Sequence, residues 1–280
     1  MSTAMKVIIA IILVGIGLVV VVHRFERKMI YFPAKFPEGY WDTAHFPGHI
    51  EECTFRTADG VRLHGWFVQA LPAQAVRREQ IRTLLFCHGN GGNITYWTPY
   101  LAALIRLGVN VLIFDYRGYG KSEGTPDEQG LYADAVAAYD YLCSRNDVDQ
   151  KKIVFFGQSL GGAVAVDLAT KRPCEKLILE ATFTSIKDMT QTMFGGLPVH
   201  YLLASKFDSL SKIGRIHVPL LSIHGNRDSI VPFELGQHLF AAANAPKTFY
   251  EIQGADHNDT SEIGGKEYFE RLSRFIQTDN

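Results

Sequence analysis

The segment Gly157-Gln158-Ser159-Leu160-Gly161-Gly162 directly follows the apolar run Ile153-Val154-Phe155-Phe156 and precedes a small-residue stretch with helical character over 160–170. A glycine on each side of a serine lets a strand turn abruptly into a helix, because a side chain there would collide with the opposite arm of the turn. Such a turn holds the hydroxyl at the top of a sheet and aims the helix N-terminus at a developing oxyanion. The chemistry this suits is nucleophilic attack on an acyl carbonyl, with Ser159 as the nucleophile.

A serine hydroxyl needs a base, and the base needs an orienting acid. Two later segments offer them. His224-Gly225-Asn226-Arg227-Asp228 follows the apolar run ending at Ile223, and Gly254-Ala255-Asp256-His257-Asn258-Asp259 follows the run ending at Ile252. Both lie where a parallel strand would end, the edge at which open α/β sheets bind ligands. Asp228 is the candidate acid and His257 the candidate base. Asp256 and Asp259 are poorer acids, since a neighbour in the same loop is badly placed to face Nδ1 while Nε2 points at Ser159. His200, His217, His224 and His238 also follow the serine, but none sits on a loop after the last strand. The oxyanion requires two backbone N–H donors. Leu160 supplies the one after the nucleophile; Asn90, in the glycine-rich His88-Gly89-Asn90-Gly91-Gly92-Asn93 after the run Thr83–Cys87, supplies the other. Asp115 and Arg117, in the next strand-end loop, read as a charged pair fixing a tight turn.

These residues need a scaffold, and the pattern provides one. Residues 52–57 and 61–69 read as a hairpin around Ala58-Asp59-Gly60. Short apolar runs at 83–87, 109–114, 153–156, 177–179, 219–223 and 248–252 then alternate with helical stretches at 98–107, 130–144, 160–170, 233–243 and 266–276. Buried strands alternating with helices imply an α/β fold: a mostly parallel sheet of about eight strands, antiparallel at its start, with helices on both faces. Residues 183–214 interrupt the alternation and carry Met189, Met193, Phe194, Leu197, Tyr201, Leu202, Leu203 and Phe207, which reads as a small lid insertion. A polar loop is expected over 73–80.

Residues 7–22 form an unbroken run of sixteen apolar or glycine residues, preceded by Lys6 and followed by His23-Arg24-Phe25-Glu26-Arg27-Lys28. That length is near the lower limit for crossing a bilayer. The exit carries no small-residue cleavage signal. The expectation is an uncleaved single-pass anchor over 1–28, an aromatic, proline-rich irregular connector over 29–49, and a domain over 50–280. Arg24, Arg27 and Lys28 outnumber Lys6 and the α-amino group, which places the domain on the cytoplasmic side.

Composition narrows the rest. Of 280 residues, 47% are hydrophobic and 20% charged, enough for a sizeable core, and the formal net charge of -1 argues against a nucleic-acid partner. Cys53, Cys87, Cys143 and Cys174 lie far apart without a metal-ligand spacing, and Cys87 and Cys174 read as buried free thiols. Neither a metal nor an organic cofactor is implied.

HGNGGN (88–93), FDYRGYGKS (114–122), GQSLGG (157–162), HGNRDSIVP (224–232) and the late Asp256-His257 pair occur in this order over residues 50–277. Together they resemble the α/β-hydrolase superfamily. The HGNxGN loop with an N-terminal anchor is similar to the membrane-anchored α/β-hydrolase-domain serine hydrolases, some eukaryotic members of which remove fatty acyl groups from protein cysteines. The resemblance implies an α/β-hydrolase fold, a Ser159–His257–Asp228 triad, and Asn90 and Leu160 as oxyanion donors. It further implies an acyl ester or thioester substrate, lipid-like or an acylated protein, with amide hydrolysis or a non-catalytic interaction role as alternatives. Two departures stand out: no N-terminal cysteine cluster, and no propeller or cap domain of the kind a prolyl-oligopeptidase-type enzyme carries.

Overall fold

The computed structural model describes residues 1–71, 81–193, 195 and 199–279; of residues 11, 16, 18–24 and 202 only the backbone is described. Its elements in order are α1 (Thr3–Ile30), β1 (Phe32–Pro33), β2 (Ile50–Arg56), β3 (Arg62–Val68), β4 (Thr83–Cys87), β5 (Gly91–Gly92), α2 (Thr98–Ile105), β6 (Asn110–Phe114), α3 (Glu128–Ser144), β7 (Ile153–Gln158), α4 (Leu160–Ala169), β8 (Lys176–Glu180), α5 (Ile186–Met193), α6 (Leu210–Ile213), β9 (Leu220–Gly225), α7 (Phe233–Ala242), β10 (Lys247–Ile252) and α8 (Thr260–Gln277).

Among the described residues, eight strands form one sheet in the order β10-β9-β8-β7-β4-β6-β3-β2. β3 pairs antiparallel with both β2 and β6, and the remaining pairs are parallel. This is the expected mostly parallel α/β architecture, entered through the predicted hairpin. Period-2 alternation divides each buried strand between two cores. Leu85, Cys87, Ile153 and Phe155 face the side covered by α3, α4 and α7. Leu84, Phe86, Val154 and Phe156 face the side covered by α2 and α8. Both faces are dry, which is why these strands are continuously apolar rather than alternating.

Three segments differ from their sequence reading. α8 begins at Thr260, six residues before the predicted start, and bends at Gly265 (φ 52°). The Gly264-Gly265 pair lowers helix propensity and masks the first turn. Asp115 and Arg117 do not pair with each other. Asp115 accepts from the Ile94 N–H (3.0 Å) and contacts His64 Nδ1 (3.2 Å), whereas Arg117 binds Asp134 (2.8 Å) and Asp59 (2.9 Å). Both are structural, through different partners. Third, the stretch read as an irregular connector contains β1, paired in parallel with β5. A strand of two glycines has no side-chain pattern to read, so neither partner was visible.

The aromatics of that stretch divide between two roles. Tyr31 is buried and Trp41 packs edge-on against Trp66, while Phe32, Phe36 and Tyr40 are exposed. Residues 72–80, within which the polar loop was expected, lie outside the described residues, as do 194 and 196–198 of the lid. Among the described residues no helix is long and apolar enough to cross a membrane. The side chains of residues 11, 16 and 18–24, on which the spanning expectation partly rests, lie outside that description.

Asn93 fastens the connector to the domain. Its buried amide donates to the Ala34 and Glu38 carbonyls (3.1 and 2.8 Å) and accepts from the Thr95 N–H and hydroxyl (3.0 and 2.6 Å). Asn93→Ala leaves the buried Thr95 N–H without its acceptor and removes one of two donors from each of the Ala34 and Glu38 carbonyls, and is expected to cost about 1–3 kcal/mol. Urea unfolding of the full chain in detergent measures it.

Candidate functional site

Between β7 and α4, Ser159 sits at φ 55°, ψ -121°, a region that side-chain-bearing residues rarely adopt. The glycines around it are required by contact. A Cβ on Gly157 would meet Gly162 Cα at 2.6 Å, one on Gly161 would meet the His88 carbonyl oxygen at 2.5 Å, and one on Gly162 would meet Thr182 Cβ at 2.5 Å. Neighbouring strands hold the strained residue in place. The Ser159 N–H donates to the Glu180 carbonyl (2.9 Å), and the Thr182 hydroxyl donates to the Ser159 carbonyl (2.8 Å).

The hydroxyl of Ser159 lies 2.9 Å from His257 Nε2, and His257 Nδ1 lies 2.8 Å from Asp228 Oδ2. All three residues sit at β-strand C-terminal ends, after β7, β9 and β10. A carboxylate at Nδ1 fixes the proton there and leaves Nε2 free to accept from the serine. The rival carboxylates serve the loops instead. Asp256 accepts from the N–H groups of His257 and Ser229 (both 2.7 Å), and Asp259 accepts from the Asp256 N–H (2.7 Å). His217 and His238 are exposed, and the His200 ring lies tilted against Tyr201 (4.2 Å) in the 183–214 segment.

Asp228 is more heavily supported than its motif suggested. Oδ1 accepts from the Ile230 and Val231 N–H groups (2.9 and 2.7 Å). Oδ2 lies 3.1 Å from His224 Nε2 in addition to its contact with His257. Burial alone would raise its pKa, yet the His224 and His257 hydrogen bonds, the His257 charge and the Val231 N–H together hold the carboxyl well below the usual aspartate range. His224 lies near the end of β9, and its sequence position points to a structural histidine without naming its partner. Its i,i+4 spacing to Asp228 was the available signal, and the glycine at 236 makes room for its ring.

The elements carrying the two proposed oxyanion donors lie against each other. Gly161 abuts the backbone of Cys87 and His88, so the first turn of α4 lies against the loop carrying Asn90. Among the described residues neither the Asn90 nor the Leu160 N–H has a hydrogen-bond acceptor. For Leu160 this follows from its place as the first residue of a helix. Cys87, directly beneath, is fully buried, and burial pushes its thiol up to about 12, which keeps it protonated.

A cavity of about 390 Å³ opens beside His257, lined by Gln158, Glu180, Asn258, Thr260 and Tyr100 among others. Glu180 escaped the sequence reading, although a carboxylate closing the apolar run Leu177-Ile178-Leu179 was a signal. It accepts from the hydroxyls of Thr260 and Tyr268, and burial raises its pKa. A second cavity of about 420 Å³ lies between β1, Gly91-Gly92, Trp97 and Asn258. Among the described residues no group of three or more His, Cys, Asp or Glu side chains is placed to hold a metal ion.

A family model described as alpha/beta hydrolase fold matches residues 82–198. The protein WAV2 of Arabidopsis thaliana, named as an alpha/beta hydrolase domain-containing protein, is 34% identical over 95% of this chain and 91% of its own. The chain belongs to the α/β-hydrolase superfamily. An uncharacterized protein of Mycobacterium tuberculosis, Rv2307c, is 37% identical over 98% of this α/β hydrolase and 95% of its own length. Among solved structures, the esterase Pf2001 of Pyrococcus furiosus superposes with a TM-score of 0.72 at 21% identity, covering 89% of this chain and 97% of that one. At that identity the likeness is one of fold.

The depressed pKa of Asp228 makes it a contributor to acid stability. The group stabilises the fold fully above the unfolded aspartate value of about 3.9, and that contribution is lost as pH falls from there through the lower folded value. Asp228→Asn removes it. Thermal midpoints followed from pH 6 to pH 2 are expected to fall less steeply below pH 4 in the variant than in the parent.

Proposed function

We propose that this α/β hydrolase is a membrane-anchored serine hydrolase that cleaves carboxylic ester or thioester bonds through an acyl-enzyme. The observation that carries the reading is the continuous hydrogen-bonded chain from Ser159 through His257 to Asp228. In this reading Ser159 Oγ attacks the acyl carbon while His257 Nε2 takes the hydroxyl proton. The carbonyl oxygen becomes an oxyanion held by the Asn90 and Leu160 N–H groups. The tetrahedral intermediate collapses as His257 returns the proton to the leaving alcohol or thiol, and Ser159 is left acylated. Water then attacks the acyl-enzyme with His257 again as base, releasing the carboxylic acid and restoring the serine. Asp228 keeps the imidazole in the required tautomer and stabilises its protonated form.

The leaving group must depart beside His257 Nε2, where the cavity lined by Asn258 and Tyr100 opens. The acyl group is assigned to the side of residues 183–214, where Met189 borders the core and Met193 and Tyr201 are exposed. The apolar run at 7–22 supports anchoring, and the basic residues after it support a cytoplasmic-facing domain. An active centre tethered near a bilayer suits a lipid-like or protein-bound acyl chain. The name esterase carried by the Pyrococcus furiosus structure is consistent with ester hydrolysis.

Labelling with a fluorophosphonate is the direct test. Folded wild type is expected to label and Ser159→Ala is not, with ester hydrolysis falling about 10⁴- to 10⁶-fold in the variant. Unlabelled folded wild type sinks the enzyme reading. A panel of p-nitrophenyl esters of graded chain length, acyl thioesters and short peptides then fixes the class. Preference for acetyl over longer chains argues against a lipid-like substrate, and turnover of peptides alone makes the protein an amide hydrolase.

A further inference from the structure

The N-terminal helix does more than lead into the domain. Its last turn and β1 are hydrogen-bonded to the loop that carries Asn90 and to the 204–205 backbone. α1 stops at Ile30 because Tyr31 turns extended (φ -112°, ψ 125°) while its N–H still donates to the Arg27 carbonyl. The final carbonyls of a helix lack intrahelical partners and carry the negative end of its dipole. At Ile30 that carbonyl is met by the Asn90 side-chain amide, which donates to it at 2.7 Å. The Asn90 carbonyl in turn accepts from the Phe32 N–H (3.0 Å) and the Tyr119 hydroxyl (2.8 Å). The preceding peptide is fixed from its other edge, where the Gly89 carbonyl accepts from His88 Nδ1 (2.7 Å). In a trans peptide the N–H points opposite the carbonyl. The Gly89 bond therefore sets the direction of the Asn90 N–H, while the Ile30 bond from the end of α1 and the Phe32 bond from β1 hold the Asn90 side chain and its following peptide.

One turn earlier, Glu26 reaches the lid. It is 3% exposed, and its carboxylate accepts from the N–H groups of Ala204 (2.9 Å) and Ser205 (2.7 Å). Glu128 of α3 takes the next two, Lys206 (2.6 Å) and Phe207 (2.9 Å). Four successive backbone donors of the lid's returning arm are thus held by two carboxylates. Phe207 has a φ of 38°, and its buried ring packs against Tyr31 (6.4 Å) and Tyr132 (5.7 Å). Strain of this kind persists where surrounding contacts over-determine it. A Glu on this face of α1 is explained by those two donors, since charge-assisted bonds repay the burial of a carboxylate.

We propose that the last turn of α1 with β1 is a positioning element of the catalytic centre: Asn90 and Glu26 are positioning residues, the first aligning the oxyanion N–H and the second seating the lid arm. This rests on the serine-hydrolase reading. Residues 26–34 then belong functionally to the hydrolase domain, and a displacement of α1 reaches the oxyanion loop and the lid together.

The test uses the full-length protein in detergent, with p-nitrophenyl acetate and decanoate as probes. Asn90→Ala is expected to lower kcat about 10- to 100-fold on both esters with KM within twofold, and to slow fluorophosphonate labelling in parallel. Glu26→Ala is expected to lower the decanoate-to-acetate ratio of kcat/KM at least about tenfold, with Glu26→Gln, which retains one acceptor, in between. Wild-type kcat in Asn90→Ala, or equal losses on both esters in Glu26→Ala, overturns the proposal. Hydrogen exchange on the wild type covers the case of a variant that fails to fold. Phosphonylation of Ser159 is expected to protect residues 26–34 and 203–207 along with 88–93. Protection confined to 88–93 overturns the proposal. If the folded wild type takes no phosphonate, the serine-hydrolase reading itself fails and this inference with it; if it labels and the variants behave as the parent, this inference alone fails.

Discussion

The backbone of Ser159 is held at φ 55° by a hydrogen bond to the Glu180 carbonyl on one side and by the Thr182 hydroxyl on the other. Much of the remaining structure follows from keeping that turn in place. A residue in this conformation costs about 1–3 kcal/mol, so both arms of the turn must be anchored independently. β7 does this in the centre of the sheet, paired with β4 and β8. α4 does it by lying so close to the ends of β4 and β8 that no side chain fits at Gly161 or Gly162. The same proximity brings the first N–H of α4 next to the loop after β4. One steric constraint therefore places the hydroxyl and brackets the proposed oxyanion position together.

The acid and base approach from the other side of the sheet, and different physics places them. The ends of β9 and β10 are fixed by their parallel pairing. Beyond them there is no ladder, and the loops are shaped by side chains that accept backbone N–H groups. Asp256 ties the His257 loop to the Asp228 loop through Ser229. Asp228 folds its own loop through Ile230 and Val231 before it meets either histidine. His224 adds a second imidazole to the same carboxylate oxygen, so Asp228 is oriented without His257. A carboxylate held from three directions loses little entropy when it orders the base, which is the value of preorganisation.

This division explains what the sequence made legible. Most strands and their order of appearance could be read because a parallel strand buried on both faces is a short, continuously apolar run. The Ser159 turn, Asp228 and His257 could be read because each lies three to five residues past an apolar run. The partners that hold the loops were harder. Glu26 binds Ala204 across 178 residues and Asn90 binds Ile30 across 60. A side chain that accepts a backbone N–H leaves no trace in the residue whose N–H it accepts. Asp115 and Arg117 illustrate the same limit: both were legible as structural, but not their true partners, Ile94 and His64 for one, Asp134 and Asp59 for the other. β1 and β5 were silent because their ladder is made by residues with no hydrophobic period.

The position of α1 gives these long-range contacts a common logic. The proposed oxyanion loop has only the two-residue β1–β5 ladder, and the 204–207 arm is held by side-chain carboxylates rather than by a strand. Each needs an external donor or acceptor of fixed orientation. The C-terminal end of a helix offers free carbonyls, and a side chain one turn earlier on the same face lies about 6 Å away along the axis. Ile30 uses the first for Asn90, and Glu26 uses the second for Ala204 and Ser205. The end of one helix, with the short ladder that follows it, thus contacts both loops. Tyr31, which follows Ile30, is buried with its ring edge-on against Phe207. If the preceding apolar run lies in a bilayer, the loops bordering the proposed catalytic centre are referenced to the membrane through a helix without an intervening linker.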